Sequence, residues 1–230
     1  MVQGRQSDTA AAIATFDEIE RRYGASTDPA LLTQVVNALF NKGVAQDQHG
    51  DKAAAIATYD EIDRRYGAST DPTLLTQVTT ALIKKGDIQD QQGDKAAAIA
   101  IYDEIDRRYS ASTDPALLTQ VATALIKKGD IQDQQGDITA AIATYDEIDR
   151  RYNASTDPSL RTQVAAALLK SARGFAINNQ VTDTIIRLKK WSSLSDKYNY
   201  NILKYWNDFD LIRNDPQFSA FLRSQECLNG

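Results

Sequence analysis

Apolar residues recur three and four positions apart along most of this chain, and the stripes they form alternate between short and long. From Lys52 to Tyr66, the residues Ala55, Ile56, Tyr59, Ile62 and Tyr66 share one helical face. The opposite face carries Asp60, Glu61, Arg64 and Arg65, and pairing Asp60 with Arg64 and Glu61 with Arg65 sets acid before base at i,i+4. Each such pair supports a helix by about 0.2–0.5 kcal/mol, too little to decide the fold. Gly67 follows the last turn, where a left-handed residue commonly ends a helix, and Gly24, Ser110 and Asn153 hold the matching positions. Ser69-Thr70-Asp71-Pro72 then opens a longer helix, with Asp71 as N-cap and Pro72 at the first helical position. Leu75, Val78, Leu82 and Ile88 carry the stripe along roughly 20 residues before Gly93 stops it and Asp94 caps the next helix. No strand pattern appears anywhere.

This short-and-long pair is one unit of a repeat. Gly50–Gln92 recurs as Gly93–Gln135 with only four changes: Ile101 for Thr58, Ser110 for Gly67, Ala116 for Thr73 and Ala122 for Thr79. The same 43-residue register runs back through Ser7–His49 and forward from Gly136 into a looser fourth copy. A fixed period of this length marks a solenoid, in which each unit buries its apolar face only against its neighbours. The fourth copy decays: Ala172, Asn179, Thr184 and Leu188 stand where the other copies have Gly, Gly, Ala and Tyr. Residues 180–193 still read as a helix, with Ile185, Leu188 and Trp191 on one face. The segment Asn207 to Leu222 reads as a closing helical cap, with Trp206, Phe209, Phe218 and Phe221 available to cover the last open face. At the other end, Ser7 to Tyr23 is a second helix whose first helix is absent, because Met1 to Gln6 is too short to supply it.

The stretch Ala81 to Ile105 resembles the tetratricopeptide repeat. The family's small residue in the first helix matches Gly86 and its inter-helix glycine matches Gly93. Its small contact residue matches Ala98, its aromatic Tyr102 and its Asp-Pro turn Asp114-Pro115. Gly43, Gly50, Ala55 and Tyr59 fit equally well, as do Gly129, Gly136, Ala141 and Tyr145, so the resemblance spans about residues 30–155. Leu82, Lys85 and Gln89 depart from the family's Trp, Leu and Tyr, and the period exceeds the usual length of about 34, lengthening the first helix by about two turns. The resemblance implies an all-α, right-handed α-α superhelix of helix-turn-helix repeats over residues 1–179. A degenerate repeat helix and a C-terminal helical cap follow over 180–230. In the family the first helices line a concave groove. Its positions carry over to Asn37, Phe40, Val44, Asp47 and Gln48, then Thr80, Ile83, Asp87, Asp90 and Gln91, then Thr123, Ile126, Asp130, Asp133 and Gln134. One apolar side chain per repeat beside acids and amides suits a protein or peptide segment of alternating basic and apolar residues. The Lys/Asn clamp that grips a terminal carboxylate in some members is absent.

Composition narrows the remaining classes. A net charge of −5 argues against nucleic acid, which requires a basic stripe. No apolar run approaches the roughly 20 residues that span a bilayer, and Met1 to Asp8 lacks a signal-peptide core, so a cytoplasmic protein is expected. The single cysteine, Cys227, lies in a polar tail and reads as a bland exposed thiol. The single histidine, His49, stands where other copies have Gln92 and Gln135, so neither a zinc site nor a Cys–His pair is built. The carboxylates of Asp60-Glu61-Ile62-Asp63 lie on a helix among arginines and read as a solvated face rather than an acid–base or calcium centre. No phosphate-binding or nucleophile motif occurs, and no enzyme, cofactor or metal is expected. The leading expectation is a binding adaptor. Either the chain is expected to be a fragment of a longer array, the favoured reading of its N-terminus, or the bare N-terminal helix seeks a partner. The alternatives to an adaptor are a self-assembling or spacer module and a recognition role for Trp191, Tyr198, Tyr200, Tyr205 and Trp206 beside Lys189, Lys190, Lys197 and Lys204.

Overall fold

The computed structural model describes residues 2–194 and 207–226, with side chains for 10–194 and 207–224. Tyr198, Tyr200, Tyr205, Trp206, Lys197, Lys204 and Cys227 lie outside the described residues. Among those described there is no strand. The helices are α1 (Val2–Tyr23), α2 (Pro29–Gln48), α3 (Lys52–Tyr66), α4 (Pro72–Gln91) and α5 (Lys95–Tyr109). They continue with α6 (Pro115–Gln134), α7 (Ile138–Tyr152), α8 (Pro158–Ile177) and α9 (Val181–Ser193). A short 3₁₀ turn (Asn207–Phe209) and α10 (Pro216–Glu226) close the chain. It divides into two compact units, Met1–Ala124 and Leu125–Gly230.

Helix starts follow the sequence signals. The Asp71 carboxylate accepts from the Thr73 amide at 2.8 Å with Pro72 behind it, and Asp28 and Asp157 cap α2 and α8 in the same way. Asp51, Asp94 and Asp137 cap the shorter helices α3, α5 and α7.

Helix ends correct one expectation. Gly67, Ser110 and Asn153 are right-handed, with φ of −66, −63 and −60°. Each amide still donates to the carbonyl four residues back, so the helical turn runs through them. The left-handed residues are Gly50, Gly93 and Gly136, with φ of 90, 85 and 83°. Around Gly93 the Asp94 amide reaches the Gln89 carbonyl and the Gly93 amide the Asp90 carbonyl, both at 2.9 Å, a Schellman turn that requires the positive φ. In the fourth copy Asn179 adopts φ 56° and makes the same pair of bonds, so the glycine's replacement keeps the turn.

Three further expectations change. Arg64 bonds Glu61 at i,i+3, 2.6 Å, and Asp60 turns instead to Lys85 on α4, also 2.6 Å. The stripe of α4 turns on Leu74, buried to 4% exposure, while Leu75 is half-buried. The N-terminal helix also begins earlier than Ser7, at Val2.

Within the first unit, α3 packs between α2 and α4, and α1 rests on α2. Tyr59, Ile62 and Ala55 are fully buried between their neighbours. The closest approach is at Gly43 and Gly86, where an added Cβ would stand 2.6 Å from the rings of Tyr59 and Tyr102. Gly129 meets Tyr145 in the same way within the second unit. The outer helices are laced together by charge: Arg65 bonds Glu20 at 2.9 Å and the Gly24 carbonyl, and Arg108 bonds Asp63 at 2.7 Å and the Gly67 carbonyl at 2.8 Å. Both guanidinium groups lie over tyrosine rings, Tyr66 and Tyr109, at 5.1 and 4.9 Å.

In the second unit α8 packs on α7 and α9, the 3₁₀ turn on α8, and α10 on α9. Phe209, Ile212 and Phe218 are fully buried and Phe221 nearly so, which makes the tail the cap its aromatic spacing called for. Leu188 and Trp191 form the buried face of α9 together with Thr184.

The glycine–tyrosine contact yields the first test. Gly86→Ala is expected to destabilise the chain by about 1–2 kcal/mol, overpacking against Tyr102 outweighing the gain in helix propensity. Adding Tyr102→Leu should recover part of the loss, because the fourth copy already combines Ala172 with Leu188, both fully buried. Urea midpoints followed by circular dichroism measure both.

Candidate functional site

The groove positions fall on α2, α4 and α6, and the structure divides them by what they already touch. On α2, Asn37, Phe40, Val44 and Asp47 are half-buried and Gln48 is exposed. On α4, Thr80, Asp87 and Asp90 are half-buried, Gln91 is exposed, and Ile83 is buried to 5% exposure, a floor rather than a surface. On α6, Thr123, Ile126, Asp130 and Asp133 are half-buried and Gln134 is exposed.

Several of these side chains are committed to the fold. The Thr80 and Thr123 hydroxyls donate at 2.8 Å to carbonyls one turn back in their own helices, those of Thr76 and Thr119. Asn37 accepts from the Gln77 amide at 2.8 Å, tying α2 to α4, and the Gln91 side-chain carbonyl accepts from Lys52 at 3.0 Å. Asp87 accepts the Tyr102 hydroxyl at 3.0 Å, and Asp130 accepts the Tyr145 hydroxyl at 2.7 Å. Asp130 also bonds Lys170 at 2.7 Å, and Asp133 bonds Arg173, which reaches Asp208 at 2.9 Å. In the second unit the groove acids are therefore neutralised by cations of α8.

The first unit differs. Asp47 and Asp90 have no cation or hydrogen-bond donor on their carboxylates among the described residues. Acids on the outer face of the same unit are paired: Asp17 with Lys42 and Asp60 with Lys85, both at 2.6 Å, Glu20 with Arg65 and Asp63 with Arg108. Unmet negative charge is thus concentrated on the face of α2 and α4 that carries the groove positions.

Tyrosines took no place in the sequence-derived site, yet they set its electrostatics. Burial, and then the charges of Asp47 and Asp87, push the Tyr59 phenol up to about 12. Burial and the bond to Asp130 push Tyr145 higher still, and burial raises Tyr109 to about 12. The signal was present in the sequence. Tyr102 and Tyr145 each follow an aspartate by fifteen positions, and Tyr59 follows Val44 instead.

Long and short helices that alternate along the chain define a helical-repeat protein. Models of the tetratricopeptide repeat match residues 2–70, 80–112 and 122–153, and the chain belongs to the tetratricopeptide repeat family. Among solved structures it is similar to BtubC (BKLC) from P. vanneervenii, with a TM-score of 0.65 and 16% identity over 98% of this chain and 92% of that one. It is also similar to the MamA RS-1 ArsTM double mutant, with a TM-score of 0.50 and 14% identity over 84% of this chain and 96% of that one. At these identities the likeness establishes the fold. No curated protein matches the sequence. No helix among the described residues is long and apolar enough to cross a membrane.

Two outcomes follow from the site's bonds. Asp130→Ala should cost about 1–3 kcal/mol, since it leaves the buried Tyr145 hydroxyl and Lys170 without their acceptor, whereas Asp90→Ala should stay within about 0.5 kcal/mol. Thermal midpoints of the two variants distinguish them. At alkaline pH the raised phenols favour the folded state fully below the ordinary value of 10, and this contribution is lost as pH climbs from 10 toward about 12. Tyrosinate absorbance from these buried phenols should therefore appear together with loss of helix, not before it.

Proposed function

We propose that this chain is a protein-interaction scaffold whose working surface is the exposed face of its longer helices, taking a segment that carries basic and apolar residues. The observation that carries this reading is the contrast in charge pairing. The outer-face acids of the first unit have partners within the chain, and Asp47 and Asp90 do not. Half-buried carboxylates without cations are positions at which a partner's charge adds affinity and register. Phe40 and Val44, half-buried beside Asp47, offer the apolar contact. Asp130 and Asp133 are less suited to the task, because each already holds a lysine or an arginine of α8.

A second reading, self-association through α1, has its own observation. Tyr23 is 43% exposed where its counterpart Tyr66 is 7% exposed, and Phe16 is half-buried where Tyr59 is fully buried. Thr15 bonds the carbonyl of Ala11 at 3.0 Å in its own helix, whereas Thr58 reaches Gln46 on the preceding helix at 2.7 Å.

Photo-crosslinking in source cells separates the two. A photoreactive residue at Gln48 or Gln91 should capture a heterologous protein, and Asp47→Lys with Asp90→Lys should abolish that capture while leaving the circular dichroism spectrum intact. Capture that is as strong from a probe at Arg64 on the outer face, or that survives the charge reversals, would remove the groove reading. Crosslinking of the chain only to itself, from a probe at Tyr23, would establish the second.

A further inference from the structure

The bonds between successive long helices obey one register. Gln77 bonds Asn37, Lys170 bonds Asp130 and Arg173 bonds Asp133, and in every case the partners are 40 positions apart. The rule follows from the geometry, since a residue on one long helix lies beside the residue one turn further along the preceding one. Within the first unit the same offset sets Lys84 beside Val44 and Asp87 beside Asp47. Where α8 answers Asp133 with a guanidinium, α4 answers Asp47 with another carboxylate.

Asp87 is engaged, by the Tyr102 hydroxyl among others, and Asp47 is not. A second group is left over at the same place. Tyr102 and Tyr145 donate their hydroxyls to Asp87 and Asp130, but the counterpart acceptor for Tyr59 is Val44, whose side chain accepts nothing. Tyr59 is 1% exposed, and its hydroxyl has no hydrogen-bond partner among the described residues. The charges of Asp47 and Asp87 both push that phenol up, and the 40-residue register sets the two aspartates side by side. Phe40 packs against the same ring, with centroids 6.0 Å apart. The nearest lysine by register, Lys84, is exposed and falls opposite Val44.

We propose that Asp47, Asp87 and the Tyr59 hydroxyl form a subsite for an arginine side chain of the bound segment, with Phe40 and Val44 receiving the apolar residue next to it. The partner's guanidinium takes the place that Arg173 fills internally in the second unit, where it bridges Asp133 and Asp208. Arginine fits better than lysine because its planar donors serve a carboxylate and a phenol oxygen at once. The fourth copy shows the subsite closed: arginine stands at the position of Asp87, and leucine at that of Tyr102. This inference rests on the groove reading given above and assigns it a position and a residue type.

The test selects a random twelve-residue peptide library on the full chain, in parallel with Asp47→Asn, Asp87→Arg and Asp133→Asn. The parent and Asp133→Asn should enrich peptides with arginine beside an apolar residue, and Asp47→Asn and Asp87→Arg should lose that enrichment. A selected peptide resynthesised with citrulline for arginine should bind the parent about tenfold more weakly and bind Asp47→Asn no more weakly than the arginine form does. Tyr59→Phe should narrow the preference for arginine over lysine. Enrichment without arginine, or arginine enrichment that persists in Asp47→Asn, overturns the subsite and leaves the groove reading standing. Failure to select any peptide on a folded parent overturns both.

Discussion

Everything else in this molecule hangs on how closely a long helix lies against the short helix that follows it. At Gly43 and Gly86 the backbone of the long helix touches a tyrosine ring directly, with no room for a methyl group between them. That contact buries the ring almost completely and aims its hydroxyl past the helix, toward the groove face. The separation of the two helices, the burial of Ile62 and Ile105 beneath them, and the electrostatics of the groove all descend from one missing Cβ. Interiors packed to crystal density transmit such a constraint rather than absorb it.

Within each unit the charged residues divide by purpose. On the outside, Arg65 and Arg108 each bind the acid and the terminal carbonyl of the preceding short helix while stacking on a tyrosine. The bond from Arg108 accounts for Gly67 staying right-handed: its carbonyl continues the helical direction and meets an arginine there. Single exposed ion pairs contribute about 0.2–1 kcal/mol, but here each arginine makes several contacts in a partly buried setting. The aspartates of the longer helices follow another logic. Some hold tyrosines, some are neutralised by α8, and Asp47 and Asp90 are left with their charge unmet.

Much of the fold was legible because its signals are local. Asp-Pro at each long-helix start, Gly-Asp at the starts of α3, α5 and α7 and the helical stripes are read residue by residue, and the structure places helices where they indicate. Gly67 misled because a glycine after a helix suggests a left-handed cap, whereas its backbone is governed by Arg108, forty-one positions away. The pairing of Asp60 failed similarly, since Lys85 on the neighbouring helix outcompetes Arg64 on its own. The groove was only half legible. Its positions come from a resemblance, but which of its acids are free depends on contacts 40 positions apart, and these appear only once the helices are set side by side. Val44 among aspartates and Arg173 in line with them were visible as irregularities without a rule to interpret them.

The pairing of Ala172 with Leu188 also bears on heredity. Tandem near-identical copies invite unequal exchange during replication, and an exchange between the second and third copies joins glycine to tyrosine whatever its breakpoint. A crossover that enters the fourth copy between its two helices joins alanine to tyrosine or glycine to leucine, one overfilled and the other hollow. Either product breaks the matched pair of the last copy. The array is thus free to change in its middle while its terminal unit, with Arg173 bridging Asp133 and Asp208, stays where it is.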